Sequence, residues 1–159
     1  MTPTSTHQPS LIQRGLQTWS LFSGFLDALQ PLALLVARLY VAQVFFLSGL
    51  TKLRDWGTTV ALFTDEYKVP LLSPQLAAFS GTAGELVLPV MLVLGLGGRF
   101  AALGLFVVNA VAVIALADIP PAALQQHVFW GALLAGLAVF GPGKWSLDAL
   151  VWPRLFKGA

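Results

Sequence analysis

Four runs of mostly apolar residues constrain this chain more than anything else in it, because a helix needs roughly 20 such residues to cross about 30 Å of hydrocarbon. The runs are Pro31–Leu50, Pro74–Leu96, Arg99–Ala117 and Ala123–Gly141. A chain of 159 residues could also hold one soluble domain, so composition decides between the two. Charged residues make up 10% and apolar residues 57%, whereas a soluble domain carries about 25% charge. Mean hydropathy is +0.78. Such a chain cannot cover a water-facing surface with polar groups. Gly97-Gly98 and Ile119-Pro120-Pro121 are tight breaks that force neighbouring helices antiparallel. The expected fold is all-α: an up-and-down four-helix bundle within the membrane.

The flanks complete the organisation. Residues 1–10 are a polar tail with no apolar core behind a basic start, so no cleaved secretory signal is expected. Over 11–30, Leu11, Ile12, Leu16, Trp19, Phe22, Leu26 and Leu29 fall at helical spacing. This predicts an N-terminal amphipathic helix lying on the membrane interface, ahead of a transmembrane domain over 31–145. The link from Lys52 to Ser73 is too polar to span and too long for a turn, which suggests a short amphipathic or re-entrant segment. The last segment, 146–159, offers Ser146 as a cap and Pro153 as a stop for a short helix. Arg14, Arg99, Lys144, Arg154 and Lys157 fall on the side shared by both termini, against Lys52, Arg54 and Lys68 opposite. The positive-inside bias therefore favours an inner-membrane protein with both termini in the cytoplasm. The net charge of +2 suits such a protein and is no sign of a nucleic-acid partner.

Polar residues inside apolar spans are the functional candidates, since a mid-bilayer charge costs at least about 2.5–3.5 kcal/mol on insertion scales. Arg38, Glu85 and His127 stand out. At about 1.5 Å per residue, Gln43, Glu85, Asn109 and Trp130 all lie some 15 to 18 Å from the cytoplasmic helix ends, so they are expected to share one layer. Arg38 lies a turn or two nearer the cytoplasm and is expected to pair with Glu85 on the adjacent helix. His127, beside Gln125 and Gln126, reads either as a hydrogen-bonded interfacial side chain or as a ligand or proton-transfer group. Phe45, Phe46, Phe106 and Trp130 could line a flat pocket for a quinone ring, or simply pack. Trp56, Tyr67, Trp145 and Trp152 read as interfacial anchors, and glycines such as Gly84, Gly104 and Gly131 as points of close helix approach. Cysteine is absent, which excludes thiol redox cycles, and the other histidine, His7, lies in the tail, so no metal site is expected.

The runs ARLYVAQVFFLSGLTKLRDW, YKVPLLSPQLA, GTAGELVLPVMLVLGLGGRFAALGL and GPGKWSLD, in this order between about Leu34 and Leu150, resemble the DoxX family of small bacterial membrane proteins. The resemblance implies a four-helix membrane protein and singles out Arg38, Lys52, Glu85, Arg99 and Asp148 as the family's recurrent polar positions. It further implies an association with quinone-linked or oxidative-stress redox complexes, or with systems of small metal-binding peptides.

Three functions are compatible with these features. The first is an accessory or anchor subunit of a membrane redox or metal-stress system, docking a soluble oxidoreductase, with quinone as the one cofactor to consider. The second is a non-catalytic scaffold that recruits its partner through the Lys52–Ser73 link. A small transporter ranks last, because four helices enclose little volume unless the chain forms an oligomer. No nucleophile, base and orienting group share a spacing that suggests an independent enzyme.

Overall fold

The structure is a computed structural model and describes residues 10–155. His7 and the rest of the tail, with Lys157 at the other end, lie outside the described residues, as do the side chains of Trp152 and Arg154. Six helices follow in order: α1 (Leu11–Arg54), α2 (Trp56–Asp65), α3 (Pro74–Leu94), α4 (Gly98–Ala115), α5 (Pro121–Phe140) and α6 (Leu147–Leu155). Helices α1, α3, α4 and α5 are long and apolar enough to cross a membrane. They form the expected bundle: α1 packs on α3, α3 on α4 and α4 on α5, and α5 closes back onto α1.

Each boundary has a local cause. Ser10 caps α1 through a capping box with Gln13. Asp55 caps α2: its carboxylate accepts the Thr58 N–H at 3.0 Å and the Thr58 hydroxyl at 2.7 Å. Those bonds, the backbone one foremost, hold the Asp55 carboxyl below the usual carboxylate range. Ser73 and Pro74 start α3, and Gly95, in the left-handed region at φ 65°, ends it. The Lys52–Ser73 link contains the short helix α2, where a short amphipathic or re-entrant segment is expected, and it is tied to the C-terminal end of α4 by Lys68 N–H donating to the Ala115 carbonyl at 2.9 Å.

Two local expectations change. Pro31 does not separate an N-terminal helix from the first span: α1 is one helix of 44 residues, about 66 Å at 1.5 Å per residue. Proline's φ fits a helix, and its one lost bond, to the Asp27 carbonyl, is tolerable where no packed neighbour presses on the chain. Likewise Pro153 lies inside α6 rather than ending it.

The apolar core occupies one half of the bundle: Val41 and Phe45 of α1, Leu92 of α3, Ala101, Ala102 and Leu105 of α4, and Leu134 and Leu137 of α5. Small residues set its tightness. A Cβ at Gly104 would lie 2.7 Å from Leu88 Cδ1, and one at Gly98 would lie 2.5 Å from Pro142 Cβ. Leucine can rotate away; a proline ring in a fixed loop cannot. Gly98→Ala is therefore expected to cost about 1–3 kcal/mol by overpacking and to lower the thermal unfolding midpoint in detergent, whereas Gly104→Ala should be milder. Equal midpoints for Gly98→Ala and the unmodified chain would contradict this packing.

Candidate functional site: two polar clusters at opposite ends of the bundle

The polar residues of the spans do not form one layer. The two charged ones, Arg38 and Glu85, lie in separate clusters at opposite ends, and their pairings differ from those expected.

At one end Arg38 is 1% exposed. Its Nε donates to the Leu92 carbonyl at 2.8 Å, and its Nη1 to the carbonyls of Pro142 at 2.7 Å and Trp145 at 2.8 Å. Nη2 donates to the Val93 carbonyl. Leu92 and Val93 are in the last turn of α3, where carbonyls lack their regular i+4 partners and the helix dipole is negative; the Leu92 carbonyl also accepts the Gly95 N–H at 3.1 Å. The guanidinium thus satisfies the C-terminus of α3 and ties it to the loop after α5. Asp148 of α6 complements it: its two oxygens accept the N–H groups of Gly97 and Gly98, each at 2.8 Å. Gly97 has no side chain to cap α4, so α6 supplies the missing acceptor. The Asp148 N–H also donates to the Gly95 carbonyl at 2.9 Å. Arg99 sits beside this cluster, exposed, with its guanidinium against Gly141.

At the other end Glu85 pairs with Lys52, not with Arg38. Lys52 Nζ lies 2.6 Å from Glu85 Oε2 and 2.9 Å from Oε1, and its third donor goes to Ser48 Oγ at 2.9 Å. The reason is geometric. Antiparallel packing of α1 on α3 puts Gly49 against Glu85, where a Cβ on the glycine would lie 3.1 Å from Glu85 Cβ. Lys52, one turn further along the same face, reaches back to the carboxylate, while Arg38 lies level with Leu92, two turns from Glu85 along α3. Thr59 fixes the cluster from α2 by donating to the Lys52 carbonyl at 2.8 Å. Tyr67 of the link feels the same carboxylate: burial foremost, and the carboxylates of Glu66 and Glu85 after it, push its phenol above the ordinary value.

Asn109 and His127 form a third pairing, across α4 and α5. Asn109 Nδ2 donates to the His127 carbonyl at 2.9 Å, and Asn109 Oδ1 lies 2.8 Å from His127 Nδ1. Because the amide oxygen can only accept, Nδ1 is the donor to it, and in the neutral ring Nε2 is then the acceptor. Gly131 makes room, since a Cβ there would lie 3.3 Å from Asn109 Nδ2. Asn109 and His127 border an open groove of about 350 Å³ between α4 and α5. Trp130 packs edge-on against His127 and Phe45, and its buried Nε1 makes no hydrogen bond among the described residues.

Gln43 belongs to neither cluster. It faces outward, beside a second open groove of about 400 Å³ whose other lining residues are apolar: Leu39, Ala42 and Phe46 of α1 and Pro89, Val90, Val93 and Leu94 of α3. The aromatic side chains do not converge on a pocket either. Phe45 is buried and Phe106 lines the groove between α4 and α5, but Phe79, Phe129 and Phe140 are exposed.

Ser48 and Thr59 were not among the expected site residues. The signal for Ser48 is its i, i+4 spacing to Lys52 on the face that carries Gly49. Nothing in the sequence marks the four carbonyls around Arg38, because backbone groups carry no residue label.

A family model described as DoxX matches residues 33–118, more than half of the chain. The matched part holds Arg38, Lys52, Glu85, Arg99 and Asn109, whereas His127, Trp130 and Asp148 lie beyond it. No curated protein and no solved structure matches the chain.

Removing one member of a buried ion pair costs about 3–5 kcal/mol, chiefly for the charge left behind. Lys52→Glu and Glu85→Lys are each expected to reduce accumulation in the membrane, and the double exchange to restore it. Exchange between Arg38 and Glu85 should not rescue. Rescue of the second exchange and not the first, read by quantitative immunoblot of membrane fractions, would overturn the pairing.

Proposed function

The chain belongs to the DoxX family, and on that premise we propose that it is an accessory subunit that anchors a redox or metal-stress system to the membrane, leaving the chemistry to a soluble oxidoreductase partner. One observation supports this reading above others: the charges inside the bundle are occupied in holding helices together. Arg38 is bound to four carbonyls, and the donors of Lys52 go to Ser48 and Glu85. Neither is free to act as an acid or base.

The docking surface in this reading is the link beyond Lys52. Leu71 is wholly exposed at the tip of that link, with backbone in the left-handed region at φ 68°, and Leu72 beside it is exposed as well. A branched residue held in that conformation and extended into solvent costs stability without any internal return, which suits a contact made with another protein. The positive-inside bias orients this link away from the cytoplasm, with both termini in the cytoplasm and the bundle in a bacterial inner membrane.

The groove between α4 and α5 suits a quinone in chemistry: His127 Nε2 would accept a hydrogen bond from a quinol hydroxyl, with Asn109 holding the ring tautomer. Bound there, the quinone would supply two-electron transfer to or from the partner. A scaffold without redox chemistry makes the same contacts at Leu71 and leaves that groove to lipid.

Gentle extraction followed by mass spectrometry tests the reading. A soluble oxidoreductase is expected to travel with the unmodified chain in near-stoichiometric amount and to be lost from Leu71→Asp, while helical content stays unchanged. Recovery of the unmodified chain with no oxidoreductase would contradict the redox assignment. Retention of the oxidoreductase by Leu71→Asp would contradict the docking surface.

A further inference from the structure

Helix α1 carries two seams at alternating spacings of three and four residues. One faces its own bundle and includes Arg38, Val41 and Phe45, all buried. The other runs Phe22, Phe25, Leu29, Leu32, Val36, Leu39, Gln43, Phe46, Leu50 and Leu53. Every residue of this second seam is exposed except Phe46, which is half-buried.

The second seam follows the heptad spacing that winds two helices into a left-handed coiled coil, with nine apolar positions and one polar one. That polar residue, Gln43, makes no hydrogen bond among the described residues and borders a groove whose other lining side chains are apolar. It lies about one and a half turns inside the Arg38 end, too deep for its short side chain to reach the interface. An amide facing lipid in that position is unfavourable, because hydrocarbon offers it no partner.

We infer that α1 pairs with α1 of a second copy of this chain along the seam from Phe22 to Leu53, with the two Gln43 amides hydrogen-bonded to each other across the dimer axis. Three features favour a second copy as the occupant. A glutamine amide both donates and accepts, so it is complementary to itself. Copies of one chain insert in the same direction, so their α1 helices run parallel and position 43 meets position 43 on a two-fold axis along the membrane normal. A single polar residue at an otherwise apolar core position fixes the register of a parallel pair. The seam also continues along α1 toward its N-terminus, where Phe22, Phe25 and Leu29 are exposed. One partner therefore covers both the projecting half of α1 and the outward amide, which nothing in the monomer does. Val90 and Val93 of α3, which line the groove with Gln43, flank the pairing.

The absence of cysteine makes the test direct. Phe25→Cys and Leu39→Cys, each as the only cysteine, are expected to yield disulfide-linked dimers when membranes are oxidised with copper phenanthroline. Val139→Cys, exposed on α5, should not. In sedimentation equilibrium in a mild detergent, Gln43→Ala should weaken dimerisation about tenfold, the effect of one interhelical polar contact, with circular dichroism unchanged because Gln43 has no contact to lose within its own bundle. Cross-linking no stronger at Phe25 and Leu39 than at Val139 would overturn the proposal. So would a chain that stays monomeric at every concentration, whether or not lipid covers the groove, or a Gln43→Ala variant that dimerises as the unmodified chain does.

Discussion

The buried guanidinium of Arg38 is the constraint on which the rest of this bundle depends. Burying an ion costs several kcal/mol even after relaxation, and a hydrogen bond to a charged group returns about 1.5–3 kcal/mol. One or two bonds would leave Arg38 a net liability; the four carbonyls it meets are enough to offset the cost. Those carbonyls come from α3 and from the loop after α5, and neighbouring Asp148 caps α4 from α6. One end of the bundle is therefore fixed by backbone polarity, whose positions are rigid, and the apolar core builds up directly beside it, from Val41 to Phe45 on α1 and from Ala101 to Leu105 on α4.

The opposite end works by side-chain pairing. Lys52 and Glu85 remain slightly accessible, at 22% and 10% of their side-chain surfaces, and their neighbours Thr59 and Tyr67 come from the link rather than from a span. Displacing the link alters the surroundings of the ion pair first. The polar layer that the positions in the sequence suggest is therefore two separate devices: a rigid one that closes the Arg38 end, and one at the Lys52 end that is mechanically connected to the surface where a partner would dock.

The spans, the tight breaks between them and the short helix in the link were legible because apolar length, glycine and proline act locally. Partner choice was not. Depth places Gln43 and Asn109 at similar levels but is silent on direction around the helix axis, and Gln43 turns outward while Asn109 turns inward to His127. Arg38 and Glu85 are the two conspicuous charges of the spans, yet each found a partner that depth reasoning had set aside. Lys52 stands at the start of the polar link, yet its long side chain folds back into the bundle. Arg38 bonds to backbone, which sequence patterns do not display. The continuity of α1 through Pro31 was missed for a related reason: proline marks a break only where the lost hydrogen bond has no tolerable substitute.

Replacing Arg38 by lysine tests most directly whether this carbonyl cage holds the bundle. Lysine keeps the charge but brings a single ammonium on a narrower stem, which cannot span carbonyls of α3 and of the 142–145 loop at once. Thermal unfolding of purified Arg38→Lys should show a markedly lower midpoint than that of the unmodified chain, with α6 becoming accessible to protease at temperatures where it is otherwise protected. A midpoint and a protease pattern unchanged by the substitution would mean that charge alone suffices, and that the four-carbonyl arrangement is not what closes this end of the protein.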